Sequence, residues 1–185
     1  MCPRFTGFAW PGICIVGGMD TTSSNDRKHL LDLVKTFHNG MLVTQADGEL
    51  ECRPMTVAQL EESTGNLWFL TRNDSKKVGE VLTEPEVGVT FQDGAKFVTI
   101  VGRAAIIRDQ AKIEALWKEP YKVWFTEGKT DPSILLIEVE PLRGEYWDNT
   151  GVKKLKFLFN AAKAILTGER PATDRDQHST VNLRP

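Results

Sequence analysis

The sequence predicts a mainly β, α+β domain in which six to seven short antiparallel strands form a barrel with helices at its periphery. Three observations carry that reading. Apolar, β-branched runs of strand length come in pairs around the dipeptides Asp47-Gly48 and Asp93-Gly94, the signal of tight hairpins. The strands do not alternate with helices in the βαβα manner of a parallel sheet. Neither GxGxxG nor GxxxxGK(S/T) occurs, which removes the glycine-rich phosphate loops of the parallel nucleotide folds.

Taken in order, Asn25 or Asp26 can cap a first helix whose apolar positions, Leu30, Leu31, Leu33, Val34 and Phe37, recur at helical spacing until Asn39-Gly40 stops it. Met41 to Gln45 reads as a strand, Asp47-Gly48 as its turn and Glu51 to Gln59 as the returning partner. Trp68 to Thr71 is a third strand, entered after Thr64-Gly65-Asn66. A helix from about Ser75 to Thr83 stops ahead of Glu84-Pro85, because the residue before a proline is pushed out of helical geometry. Val87 to Phe91 turns at Asp93-Gly94 and returns from Phe97 to Ile107, with Gly102 expected at a bulge or a close backbone approach. Asp109 caps a helix carrying Ile113, Leu116 and Trp117, which Glu119-Pro120 interrupts. The aromatic segment Tyr121 to Phe125 is left unassigned between helix and strand. Ile134 to Val139 and Glu145 to Asp148 complete the strands, and Leu155, Leu158, Phe159, Ala162, Ile165 and Leu166 mark an amphipathic helix ending at Gly168.

The organisation that follows is an N-terminal extension over residues 1–25, one barrel domain over 26–150, the amphipathic helix over 151–168 and a loose polar tail over 169–185. Residues 1–18 are apolar but broken by Pro3, Pro11 and four glycines, too interrupted for a membrane span or for the unbroken core of a secretory signal. Met19 then opens a polar run that reads as the beginning of a soluble chain, so a disordered extension is expected, with a signal or anchor as the alternative.

With 41% hydrophobic and 26% charged residues, the 185-residue chain can build one core. A net charge of −2 and a pI near 6.0 offer no basic field, so nucleic acid is not an expected partner. A membrane is not one either, because the late helix carries few lysines beside a modest apolar face. Cys2, Cys14 and Cys52 are odd in number and far apart, which argues against a disulfide framework and for a reducing, cytoplasmic setting. His29, His38 and His178 lack zinc spacing, so no metal site is expected.

Two stretches carry the chemistry. Arg53-Pro54-Met55 puts a guanidinium on a strand, and Trp68-Phe69-Leu70-Thr71 leads through Arg72-Asn73-Asp74 into a helix opening with Ser75-Lys76-Lys77. A helix start presents unpaired N–H groups and the positive end of the peptide dipoles, so a phosphate there meets donors, favourable field and lysine charge together. Taken singly, Arg53, Ser75, Lys76 and Lys77 are more commonly solvated surface residues. No Ser or Cys stands in a recognisable nucleophile motif with a nearby His.

These stretches, followed in order by Gly102-Arg103-Ala104, Leu116-Trp117, Val123-Trp124-Phe125 and Tyr146-Trp147-Asp148, resemble the FMN-binding split-barrel superfamily of pyridoxamine 5'-phosphate oxidase, and within it the general stress protein branch. The likeness runs over about residues 26–150. It implies a split β-barrel working as a homodimer with FMN at the subunit interface. It implies that Arg53, Ser75 and Lys76, with Lys77 beside them, hold the FMN phosphate. Pro54 and Met55 and the strand of Trp68, Phe69 and Thr71 would then lie along the isoalloxazine ring, which Trp147 would reach from the partner subunit. Trp68, Trp117, Trp124 and Trp147 each read more readily as core or interface aromatics than as ring contacts, and Trp68 and Trp147 are the two expected at the ring.

One departure narrows the activity. Pyridoxamine phosphate oxidases proper hold their substrate's phosphate with an Arg-x-His near the C-terminus, and Asp174-Arg175-Asp176-Gln177-His178 has the wrong spacing. The resemblance therefore implies an FMN-dependent oxidoreductase on an unidentified small molecule rather than that oxidase. The rival readings are a flavin carrier or sensor without turnover, and a barrel of the same shape that holds deazaflavin or haem.

Overall fold

The computed structural model describes residues 24–150 and 178–184. Its elements are α1 (Ser24–Val34), β1 (Asn39–Ala46), β2 (Glu49–Thr56), β3 (Gln59–Leu60), β4 (Leu67–Arg72), α2 (Lys76–Thr83), β5 (Glu86–Asp93), β6 (Lys96–Ile107), α3 (Gln110–Leu116), β7 (Ile134–Asp148) and β8 (His178–Asn182). Two short 3-10 turns, Glu119–Val123 and Gly128–Thr130, lie between α3 and β7. The expected N-terminal extension lies almost wholly, and the amphipathic helix over 151–168 wholly, outside the described residues.

Turn chemistry sets the topology. Asp47 and Gly48 stand at φ of 52° and 83°, the left-handed pair that a tight hairpin needs, and β1 folds back on β2 from Asn39–Thr56 to Ala46–Glu49. Gly94 at φ 56° does the same for β5 and β6. The strand order is β2-β1-β5-β6-β7-β4-β3, with β8 on β7 and every pairing antiparallel.

β7 is the spine of the sheet. The sequence reads Ile134 to Val139 and Glu145 to Asp148 as separate strands, but one 15-residue strand spans both. It pairs with β6 along its length, while β4 takes the first half of its other edge and β8 the second. Pro141, which has no N–H to give a ladder, falls where those two partners change over. Opposite it the register shifts between Val101 and Gly102. A Cβ on Gly102 would stand 2.2 Å from the Glu140 carbonyl oxygen, so the glycine serves both as bulge and as close approach.

The tail departs most from expectation. Polar composition predicts a loose segment over 169–185, yet His178–Asn182 is a strand, with Val181 and Leu183 buried against the barrel. Two apolar residues in a polar run are too weak a pattern to mark a strand. The free edge that β7 offers beyond β4 supplies what local sequence does not.

One core fills the barrel: Leu42, Leu67, Phe69, Val89, Ile100, Ile137 and Val139 meet Leu30, Leu31, Leu33 and Val34 from α1. A second, smaller cluster lies on the other face of β4, where Trp68, Ile134 and Leu136 pack on Ile113 and Leu116 of α3 and on Tyr121 and Phe125. The expected strand Glu51 to Gln59 is broken between these two regions. Val57 donates its N–H to the His38 carbonyl at 2.9 Å, and Ala58 donates to the Trp68 carbonyl at 2.8 Å. The chain thus crosses from the β1 side of the barrel to β4 within two residues. β2 and β4 share no ladder, and between them the barrel is split.

Candidate functional site

The split holds a cavity of about 480 Å³. Pro54, Met55 and Thr56 come to it from β2, Leu70, Thr71 and Arg72 from β4, Asp74, Ser75 and Lys77 from the start of α2, and Tyr121, Trp124 and Phe125 from the segment after α3. On β4 only Leu67 and Trp68 have a strand partner on the side away from β7. Among the described residues, the backbone of Leu70 to Arg72 therefore presents an edge without a strand partner, as does the outer edge of β2.

One end is cationic. Ser75 takes the N-cap position of α2, but its hydroxyl makes no bond to a helix N–H. It accepts instead from Lys77 Nζ at 2.6 Å, and Thr71 Oγ1 accepts from the same ammonium at 3.2 Å. Lys77 is half-buried, and burial first, then the charge of Arg53, holds its ammonium below the ordinary lysine range, with Glu80 and Asp74 acting the other way. The first-turn N–H groups of α2 are thereby left without a side-chain cap, beside a partly desolvated cation.

Arg53 stands behind this end rather than in its wall. Its Nη1 donates to Thr44 Oγ1 at 2.7 Å and its Nη2 lies 2.8 Å from Glu80 Oε2, which also accepts from the Thr44 hydroxyl at 2.6 Å. Thr44 and the Glu80 side chain are buried. The guanidinium is thus fixed by a closed triangle of bonds, and Glu80 is the one buried carboxylate of the corner, with exposed Glu51 3.9 Å from the Arg53 guanidinium. At the rim, exposed Arg72 and Asp74 pair at 3.1 Å.

The other end is aromatic. Tyr121 N–H donates to the Lys118 carbonyl at 2.9 Å and Phe125 N–H to the Tyr121 carbonyl at 3.0 Å, so the segment left unassigned by sequence is a fixed 3-10 turn. Burial raises the pKa of the Tyr121 phenol, and its hydroxyl has no hydrogen-bond partner among the described residues.

Of the residues the sequence singles out, Pro54, Met55, Thr71, Ser75 and Lys77 meet at the cavity, with Arg53 behind them. Lys76 is exposed and is not part of the wall. Trp68 and Phe69 point to opposite faces of β4 and are buried, Phe69 in the barrel core and Trp68 in the second cluster, under Lys112 Nζ at 4.3 Å. Neither reaches the cavity: alternation turns the two to opposite faces, each covered by a core, and the open edge begins past Trp68, where the pairing with β3 ends. Trp147 stands apart from this cavity, near the end of β7, where its ring stacks on His178 at 4.8 Å and His178 Nε2 lies 2.7 Å from Glu145 Oε1. Leu70 lines the cavity as a member of the strand Trp68 to Thr71 expected along a ring, whereas Thr56, Arg72, Asp74, Tyr121, Trp124 and Phe125 are cavity residues that the sequence does not mark. The run of aromatics from Tyr121 to Phe125 was the one visible signal. Among the described residues no group of three or more His, Cys, Asp or Glu side chains could hold a metal, and no helix is long and apolar enough to cross a membrane.

A barrel split between β2 and β4, with a cationic helix start and an aromatic turn at the opening, defines the class of split-barrel proteins. The chain belongs to the family described as pyridoxamine 5'-phosphate oxidase like, whose model matches residues 25–172. Among solved structures it is similar to a candidate general stress protein 26 from Jannaschia sp. CCS1, at 25% identity and TM-score 0.64, over 85% of this chain and 99% of that one. It is also similar to the general stress FMN/FAD binding protein of Xanthomonas citri, at 26% identity and TM-score 0.59, over 67% and 92% of the two chains. A candidate pyridoxamine 5'-phosphate oxidase from Listeria innocua matches at 25% identity and TM-score 0.53, over 63% and 94%. No curated protein matches.

Proposed function

We propose that the protein binds FMN non-covalently in the split and acts as a flavin-dependent oxidoreductase on a small molecule, as a cytoplasmic homodimer. The observation that carries this reading is the half-buried Lys77 ammonium at the start of α2, held by Ser75 and Thr71 with Arg53 fixed behind it. The Lys77 ammonium has hydroxyls and not a carboxylate as its hydrogen-bond partners, and a terminal phosphate would meet it together with the uncapped N–H groups of the helix. The unpaired backbone edges at Pro54 to Thr56 and Leu70 to Thr71 suit the polar rim of a flat heterocycle, whose faces find Met55 and Leu70. The name of the Xanthomonas citri protein points the same way.

Bound there, the flavin would supply the redox chemistry, and the protein would set its orientation and access. Lys77, Ser75 and Thr71 would grip the phosphate, and the strand edges would fix the ring in the mouth of the split. The second copy would dock on the outer face of the sheet, where Met41 of β1 and Phe97 and Val101 of β6 stay exposed on the two strands that flank β5. Phe97 and Trp147 line a hollow of about 350 Å³ on that face, from which Trp147 would approach the partner's flavin. Oxidation of pyridoxamine phosphate itself is disfavoured, since His178 belongs to β8 and is absent from the cavity wall.

Titration with FMN and with riboflavin tests the phosphate corner. FMN should bind more tightly than riboflavin, and the double variant Arg53→Ala, Lys77→Ala should lose about a hundredfold in FMN affinity with little change for riboflavin, since each charge-assisted bond to phosphate is worth about 1.5–3 kcal/mol. Equal affinity for the two flavins would refute the corner. The absorbance spectrum of the purified protein separates flavin from deazaflavin or haem. Bleaching by NAD(P)H separates an enzyme from a carrier or sensor.

A further inference from the structure

We propose that the aromatic end of the cavity is a second subsite, taking a planar, uncharged aromatic ring against the indole of Trp124. It rests on the flavin reading only for what occupies the neighbouring, cationic end. Trp124 is 70% exposed, although Tyr121 and Phe125, on either side of it in the turn, are 8% and 3% exposed. The turn therefore spends its buried aromatics on anchoring and holds the largest one at the cavity wall.

That position is fixed. Trp124 N–H donates to the Tyr121 carbonyl at 2.9 Å. Trp117 lies edge-on to Tyr121, at 5.9 Å and 70°, and 6.3 Å from Phe125, so the base of the turn is clamped from below. A water-facing indole carried on a fixed stretch of backbone is a stacking surface that asks for reordering of one side chain only when a ring covers it.

Charge distribution selects the kind of ring. Every charged residue of the cavity wall, Arg72, Asp74 and Lys77, belongs to the β4–α2 end. At the aromatic end the one titratable side chain is Tyr121, whose phenol burial keeps protonated, and nearby Lys122 is paired with Glu119 at 2.7 Å. An uncharged ring loses nothing there, whereas a charged one would leave water without a counter-ion. The cavity volume of about 480 Å³ is of the size that encloses small molecules. Because Trp124 lines this cavity, whereas Met41, Phe97 and Val101 belong to the outer sheet face, we assign the indole to a small ligand and not to the second copy.

The test uses menadione, a flat uncharged quinone, against the full-length protein with and without FMN. Menadione binding is read by equilibrium dialysis, flavin affinity is read in parallel on the same preparations, and oligomeric state by sedimentation. Trp124→Ala should weaken menadione about tenfold and Trp124→Phe distinctly less, since a smaller ring keeps part of the stacking. Leu82→Ala, which removes an equally exposed apolar side chain outside the cavity wall, should leave menadione affinity as it is. The subsite is overturned if menadione fails to bind the parent protein, if Trp124→Ala binds it equally well, or if that variant only dissociates an oligomer. Failure to bind FMN, with menadione still dependent on Trp124, would overturn the flavin reading and uphold the subsite.

Discussion

The Arg53 guanidinium lies 2.8 Å from the Glu80 carboxylate, and Glu80 follows Lys77 by three residues on α2, so the strand cation and the helix cation share one buried counter-charge. Thr44 closes the arrangement by bonding to both Arg53 and Glu80. Strand β1, strand β2 and helix α2 are joined at this point by polar contacts rather than by apolar packing.

Removing the shared carboxylate should be felt through the whole corner. Glu80→Ala leaves a largely buried guanidinium without its partner, and such a loss costs about 3 kcal/mol. Urea unfolding of the protein without ligand should show that drop. A change under 1 kcal/mol would mean that water already satisfies Arg53.

Lys77 gives the corner a pH signature. Its folded pKa is lowered from 10.5, so between that lowered value and 10.5 the unfolded chain binds more protons than the folded one, and stability rises with pH across the window. Below it the half-buried ammonium costs stability in full. Lys77→Met should therefore raise the stability of the ligand-free protein at neutral pH and flatten the alkaline rise, while weakening FMN at least about tenfold. Lys76→Met, on the exposed neighbour, should do neither. Denaturant melts from neutral pH to 10.5, with parallel FMN titrations, would reverse the assignment of the two lysines if Lys76→Met gave the larger effects.

Tyr121 tests the aromatic turn. Its buried hydroxyl has no partner among the described residues, and an unsatisfied buried hydroxyl costs about 1–3 kcal/mol. Tyr121→Phe should leave stability unchanged or raise it by about 1 kcal/mol, read from the thermal midpoint. A clear loss would show that the hydroxyl is bonded after all.

Much of the scaffold was legible because its causes are local. Asp47-Gly48 and Gly94 announce hairpins through left-handed backbone that few other residues adopt cheaply. Asp109 caps α3 as expected, its Oδ1 accepting from Lys112 N–H at 3.0 Å. The cationic helix start could be foreseen for the same reason, since Ser75 and the two lysines are adjacent in the chain.

The rest of the site depends on contacts between residues distant in sequence. Trp68 was expected at a ring, yet α3, which follows it in the chain only after α2, β5 and β6, covers that face of β4 and buries it. Trp124 had no periodic pattern to mark it, because a 3-10 turn hung on Tyr121 and Phe125 is stabilised by its landing place and not by its own spacing.

By itself the sequence determined an antiparallel barrel, its turns, and a hydroxyl and lysine pair at a helix start, because backbone preference and hydrophobic period act over a few residues. Tertiary structure alone decided that Lys77 and not Lys76 turns inward, that β7 runs unbroken past Pro141, and that His178–Asn182 becomes a strand. Those outcomes hang on where helix α2 meets the split and on which edge of β7 is left open, relations between surfaces that exist only once the barrel has formed.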